Sequence, residues 1–145
     1  MKIDAKMQAQ VWQRVQGEPV TVPEQRLLLL EMETAVQIQA LMGYFPGKRQ
    51  VLQGLLGQTQ QHIACLQGIW YLRQGGSPSL QPGKLRERDG AAILRKCYVN
   101  CISLVNFYGQ KENDPEYGVV FGLLGEEKGR QGKALLQLLG QKNGT

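Results

Sequence analysis

The chain has 145 residues, a length that suits one domain whose core needs no disulfide or metal to hold it. Hydrophobic residues make up 42% and charged residues 20%, and no apolar run approaches the roughly 20 residues that span a bilayer. The formal net charge is +5, but the basic residues are scattered, which argues against a nucleic-acid-binding surface.

The cysteines indicate the compartment. Cys65, Cys97 and Cys101 are odd in number and lack C-x-x-C spacing, which argues against a secreted disulfide framework and for a reducing environment. The first residues are amphipathic and lack the apolar core of a signal peptide. These features predict a cytoplasmic protein.

Apolar residues recur at helical spacing through the first half of the chain. A short helix is predicted over about residues 3–16. Thr21 and Glu24 then have the form of a capping box, which predicts a helix over 24–43. A second helix is expected over 47–73.

The second half opens with a linker rich in glycine and proline over residues 75–83, long enough to cross from one end of a bundle to the other. A third helix is predicted over 85–110. Asp114 followed by Pro115 is a start signal for a fourth helix, which should end near Gly140. The sequence therefore predicts one all-α domain over residues 1–145: an antiparallel four-helix bundle at about 23–140, made of two helical hairpins joined by a long crossover.

An internal repeat lies within these helices. Gly54–Leu66, GLLGQTQQHIACL, is echoed by Gly122–Leu135, GLLGEEKGRQGKAL. Each copy is helical in period and carries polar residues in the middle of an apolar stripe. Across the four helices, the polar or thiol residues on the stripes are Glu31, Thr59, His62, Cys101 and Glu127. We expect these side chains to converge at one level of the core.

The position of the fourth helix is ambiguous by one residue. Aligning the two GLLG copies places Thr59 at the same position as Glu127 and His62 at the same position as Arg130. Aligning the apolar runs that follow them instead matches Thr59 with Lys128 and His62 with Gln131. The first pairing is preferred because the repeat supports it.

With these residues in place, the chain resembles the rubrerythrin and ferritin-like superfamily over about residues 24–140. The resemblance rests on Glu31 with Ile38 seven residues later, on the segment Thr59–His62, and on Cys101 with Tyr108 seven residues later. The stretch Asp114–Gly118 before the fourth helix also looks like small bacterial members of this group.

The resemblance implies a site with missing ligands. Di-iron bundles use one Glu from each of two helices and a Glu-x-x-His from each of the other two. By resemblance, the metal positions that survive are Glu31, His62 and Glu127. At the other three positions stand Thr59, Cys101 and Arg130. At most two carboxylates then remain to balance two iron ions, so we expect a vestigial site without a bound cofactor.

The function expected from these observations is a non-catalytic, structural or protein-interaction module. Gly-rich helix faces and the extra N-terminal helix offer packing surfaces for a homodimer, and no membrane or nucleic-acid partner is expected. The alternative is a rubrerythrin-like metal-dependent oxidoreductase or iron-binding protein with an altered site. A single zinc ion on Glu31, His62 and Cys101 is a further alternative.

Each site residue also has a purely structural interpretation. His62 is then a neutral histidine hydrogen-bonded in the core, Glu31 and Arg130 form a buried ion pair, and Cys65 and Cys101 are small core residues. We expect His62 or Arg130 to close the vacated site by hydrogen bonding to Glu31 or Glu127, because an unpaired buried charge is costly.

Overall fold

The computed structural model describes residues 23–144, with side chains described over 23–140. Its four helices are α1 Glu24–Tyr44, α2 Arg49–Gln74, α3 Gly90–Gln110 and α4 Gly118–Gly144, with a 3-10 turn at Pro46–Lys48. Residues 23–144 contain no strand, so the predicted all-α class is confirmed for this part of the chain. The predicted helix at 3–16 and the capping residue Thr21 lie outside it.

The ends of α2 and α3 have local causes. Gly75 ends α2 with φ +78°, a left-handed conformation that glycine adopts without strain, and its N–H donates to the Tyr71 carbonyl at 2.8 Å. Helix α3 starts five residues later than predicted. The Asp89 side chain caps it by accepting from the Ala91 N–H at 3.3 Å, and the preceding residues belong to the crossover.

Helix α4 also starts later than the sequence suggests. The Oδ1 atom of Asp114 accepts the N–H groups of Glu116 and Tyr117, both at 2.9 Å. These bonds close a turn ahead of the helix, which begins only at Gly118. Asp114 and Pro115, predicted to start the helix, therefore form a tight turn before it.

Two hydrophobic clusters fill the bundle. The lower cluster, at the end where α1 begins, consists of Leu27, Leu28, Leu30, Leu66, Ile69, Leu104, Tyr108, Phe121 and Leu124. The upper cluster, at the end where α1 finishes, consists of Ile38, Leu41, Met42, Leu52, Leu55, Ile93, Leu94, Cys97, Cys101, Leu135 and Leu138. All four helices contribute to both clusters.

The chain directions follow from contacts at the helix ends. Helix α1 packs along α2 and α3 along α4. The crossover over residues 75–89 runs up the bundle, with Leu80 packed on the lower cluster and Leu85 on the upper one. At the top, the Tyr44 hydroxyl donates to the Arg88 carbonyl at 3.1 Å, which places the start of α3 beside the end of α1.

One arginine ties the lower end together. Arg73, at the end of α2, pairs with Glu24 at the start of α1 and, at 2.6 Å, with Asp114 in the α3–α4 connection. Glu24 therefore bonds across the bundle to the end of α2. The hydrogen bond from Arg73 lowers the pKa of Asp114 to about 2, so this ion pair persists well into acid. Across the described helices, none is long and apolar enough to cross a membrane.

Candidate functional site

A layer of buried polar side chains separates the two hydrophobic clusters. On α1, α2 and α4, the stripe that is apolar above and below becomes polar at this level. The residues of this polar layer, each 2% exposed or less, are Glu31, Thr34, Thr59, His62, Lys128 and Gln131. Such a layer is stable only when its charges and hydrogen-bonding groups find partners inside the protein.

Glu31 on α1 is the centre of the layer. Its Oε2 accepts from the Tyr108 hydroxyl at 2.7 Å and lies 3.0 Å from the Nδ1 of His62. Its Oε1 lies 2.7 Å from the Nζ of Lys128. Burial alone raises the pKa of Glu31, but the charge of Lys128 and the hydrogen bond with His62 outweigh burial and hold the pKa below its ordinary value. Glu31 is therefore ionised at neutral pH.

Lys128 on α4 carries the positive charge that faces this carboxylate. Its side chain has no exposed surface. Besides Glu31, the Nζ donates to Gln131 Oε1 at 2.7 Å and to Thr59 Oγ1 at 3.4 Å. The ammonium thus donates two hydrogen bonds and forms an ion pair with Glu31.

Two further hydrogen bonds orient the oxygens around Lys128. The Thr59 hydroxyl donates back to the Leu55 carbonyl at 2.9 Å, which turns its lone pairs toward the ammonium. The Gln131 amide nitrogen donates to Gln58 Oε1 at 3.2 Å, so its oxygen faces Lys128.

His62 connects the buried carboxylate to the protein surface. Its Nδ1 faces Glu31 at 3.0 Å, and its Nε2 lies 2.9 Å from Oε1 of Glu127, whose side chain is 30% exposed. A neutral imidazole carries only one N–H. Both contacts are satisfied when the ring is protonated, or when the Glu127 carboxyl donates a proton to a neutral ring. In the first arrangement two carboxylates face two cations, and the cluster is neutral.

Tyr108 closes the lower side of the layer. Burial and the adjacent Glu31 charge raise the pKa of Tyr108 well above its ordinary value, so it remains a phenol and a hydrogen-bond donor. Its ring stacks on Phe121 with centroids 6.4 Å apart, which anchors it in the lower cluster.

The cysteines pack beside this layer without entering its hydrogen bonds. Cys97 and Cys101 are free and fully buried, one helical turn apart on α3. The hydrogen bond with Cys101 and burial raise the pKa of Cys97 well above its ordinary value, so this thiol is a poor nucleophile.

The structure places the predicted site residues as follows. Glu31, His62, Glu127 and Thr59 all join the network around the polar layer, and Cys101 lies at its upper edge in the upper cluster. Arg130 is exposed on the outer face of α4 and does not contribute to the layer. Of the two residues expected to close the site, His62 contacts both Glu31 and Glu127. The positive charge that faces Glu31 comes from Lys128 and not, as the preferred pairing predicted, from Arg130.

The spacing of the buried residues on α4 explains why Lys128, and not Arg130, faces the core. The inward positions of α2 are Leu52, Leu55, Thr59, His62, Leu66 and Ile69. Those of α4 are Phe121, Leu124, Lys128, Gln131, Leu135 and Leu138, each 69 residues further on. The two GLLG copies are only 68 residues apart, so aligning them shifts α4 by one residue. The alternation of three and four in the apolar spacing of α4 is the sequence signal that favours Lys128 and Gln131, and it competes with the GLLG repeat.

A second buried polar pair, which the sequence reading did not single out, lies above the layer. Asn100 on α3 donates to Gln37 on α1 at 3.3 Å, and both side chains are at most 7% exposed. This bond joins two amides inside the helix interface and so helps to set how α1 and α3 align.

The donor set does not fit a di-iron centre. A lysine ammonium has no free electron pair for a metal, and Lys128 already lies against Glu31. Two divalent ions would add four positive charges to a cluster that the protein's own groups can make neutral. Over residues 23–140, no group of three or more His, Cys, Asp and Glu side chains is placed to hold a metal ion.

Comparison of the chain with protein-family models, with curated proteins and with solved structures gives no match in any of the three.

Proposed function

We propose that this protein is a ferritin-like four-helix module whose core works without a bound metal, and that its role is structural or protein-interacting rather than catalytic. The observation that carries the proposal is the contact between Lys128 and Glu31 at 2.7 Å in the centre of the polar layer. The carboxylate that a metal would need is neutralised by a cation of the chain itself.

The order of the helices supports the ferritin-like part of the proposal. Two helical hairpins are joined by a crossover that runs the length of the bundle, and α1 and α3 lie side by side in opposite directions. One long crossover is typical of ferritin-like bundles. The resemblance through Glu31, the Thr59–His62 segment and Cys101 adds to it.

Exposed apolar side chains favour an interaction role. Val119 and Leu123 lie one turn apart on α4 and are 80% and 59% exposed. Tyr71 and Leu72 at the end of α2 are 61% and 70% exposed. We expect the partner to be a second copy of the chain, as the Gly-rich faces predict. Sedimentation should then show a dimer that Val119→Ser with Leu123→Ser weakens; a monomer at every concentration contradicts self-association.

The test of metal independence is elemental analysis of the purified protein together with thermal unfolding. We expect no stoichiometric iron or zinc and an unchanged Tm after treatment with a chelator, because no folding energy comes from a metal. Two tightly bound iron ions per chain, with peroxide turnover that is lost on chelation, would instead establish the rubrerythrin-like oxidoreductase.

A further inference from the structure

The surroundings of Lys128 have the form of a cation site. Its Nζ lies within 2.7–3.4 Å of three oxygen atoms that come from three different helices: the Glu31 carboxylate on α1, the Thr59 hydroxyl on α2 and the Gln131 amide on α4. The group at their centre has no exposed surface.

The oxygens are held in place by bonds that do not involve the ammonium. Thr59 is fixed by the Leu55 carbonyl and Gln131 by Gln58, at 2.9 and 3.2 Å. Glu31 is held through its other oxygen by Tyr108 and His62. The ring of oxygens is therefore preorganised, and removing the ammonium would leave it facing an unoccupied centre.

We propose that this ring is a cation-binding site that Lys128 occupies as a tethered cation. The site would accept a small alkylammonium ion when the lysine side chain is shortened, and a divalent metal ion when the lysine is replaced by a carboxylate. The inference rests on the proposed metal-independent core, since a resident metal would compete for Glu31.

The first experiment is chemical rescue of Lys128→Ala. This substitution removes three methylene groups and the ammonium, which is the outline of n-propylammonium. We expect Lys128→Ala to have a lowered Tm that rises with n-propylammonium chloride by at least about 2–4 °C over the same concentration of sodium chloride. Lys128→Met fills the same space without charge and should not respond. Lys133→Ala, an exposed lysine on the same helix, is the control for salt effects.

The second experiment remains informative if Lys128→Ala does not fold without the amine. In Lys128→Glu, a second carboxylate would face Glu31, with His62 as a neighbouring nitrogen donor, a set that zinc accepts. We expect saturating Zn²⁺ to raise the Tm of this variant by about 5–10 °C and to leave wild type and Lys133→Glu unchanged. The same variant with His62→Ala should respond less.

The outcomes separate the two proposals. Equal responses of Lys128→Ala and Lys128→Met to the amine, together with no Zn²⁺ response in Lys128→Glu, overturn the cation site and leave the metal-independent module standing. A metal that co-purifies with wild-type protein overturns the module itself, whatever the variants do.

Discussion

Lys128→Met should be among the most destabilising single substitutions in this protein. Methionine keeps the length and approximate volume of the side chain but removes the charge. The Oε1 of Glu31 has no hydrogen-bond partner within the described part of the chain and is compensated by the ion pair with Lys128, so the substitution leaves a buried carboxylate oxygen uncompensated. It also removes the donor to Gln131 and Thr59.

The expected loss follows from these contacts. Removing one partner of a buried ion pair costs about 3–5 kcal/mol, because the other charge remains in a poorly solvated place. For a chain of this size, that corresponds to a fall in Tm of roughly 6–20 °C, or to a fall in the urea midpoint on the order of 2 M. Lys133→Met, on the exposed side of α4, should change the free energy of unfolding by less than about 0.5 kcal/mol.

A double-mutant cycle with Glu31→Gln tests the reasoning. Glu31→Gln alone strands the ammonium, while the double variant removes both charges, and exchanging a complete buried pair for neutral groups is often close to neutral. We therefore expect the double variant to lose clearly less stability than the sum of the two single variants. Urea unfolding followed by circular dichroism measures all four proteins. A loss below about 1 kcal/mol for Lys128→Met, or additive losses in the cycle, would refute the ion pair as a determinant of stability.

Three further predictions concern other parts of the molecule. The pKa of Glu31 is lower in the folded protein than its unfolded value of 4.5, so its contribution to stability is present above that pH and is lost as the pH falls through the folded pKa. Urea midpoints measured from pH 7 to pH 2 should therefore fall more steeply for wild type than for Glu31→Gln; parallel curves would contradict this. Gly118→Ala should lower the free energy of unfolding by about 1–3 kcal/mol, because an added Cβ would collide with the Glu112 carbonyl oxygen. Gly54→Ala, in open space on α2, should raise it by about 0.5–1 kcal/mol, because alanine has the higher helix propensity. A loss of stability at Gly54 as well would contradict the second expectation. Arg73→Ala should lose about 1–3 kcal/mol because two carboxylates at the lower end lose their shared partner. Glu116→Ala, which removes only an exposed contact of Arg73 at 3.5 Å, should be nearly neutral. Equal losses for the two variants would argue against the partly buried pairs with Glu24 and Asp114 as the main contribution.

The local sequence carried enough information to predict the four described α-helices and their order along the chain. Apolar spacing and the Gly75 stop depend on interactions within one or two turns, so they can be recognised before any tertiary contact is known. The same spacing placed Glu31 and His62 on inward stripes, and the structure brings their side chains to 3.0 Å.

The helix starts were less predictable. Leu85 and the charged residues after it suit a helix, yet they extend along the bundle in the crossover, where Leu85 packs on the upper cluster. Asp114 likewise serves a turn rather than α4. At Leu85 the chain must first span the length of the bundle, so tertiary packing overrides local preference. At Asp114 the hydrogen bonds of a local turn compete with those of a helix start.

Only the tertiary structure decided which side of α4 faces the core. One residue turns a helix by about 100°, so a shift of one position exchanges Glu127 and Arg130 for Lys128 and Gln131. The sequence repeat favours the first pair, and its own residues give no reason to bury a lysine. Lys128 lies inside because Glu31, on another helix, offers its carboxylate at that level, and Glu127 reaches His62 only from the edge. The rotation of a helix about its axis depends on the surfaces that it packs against, and those surfaces exist only after the chain has folded.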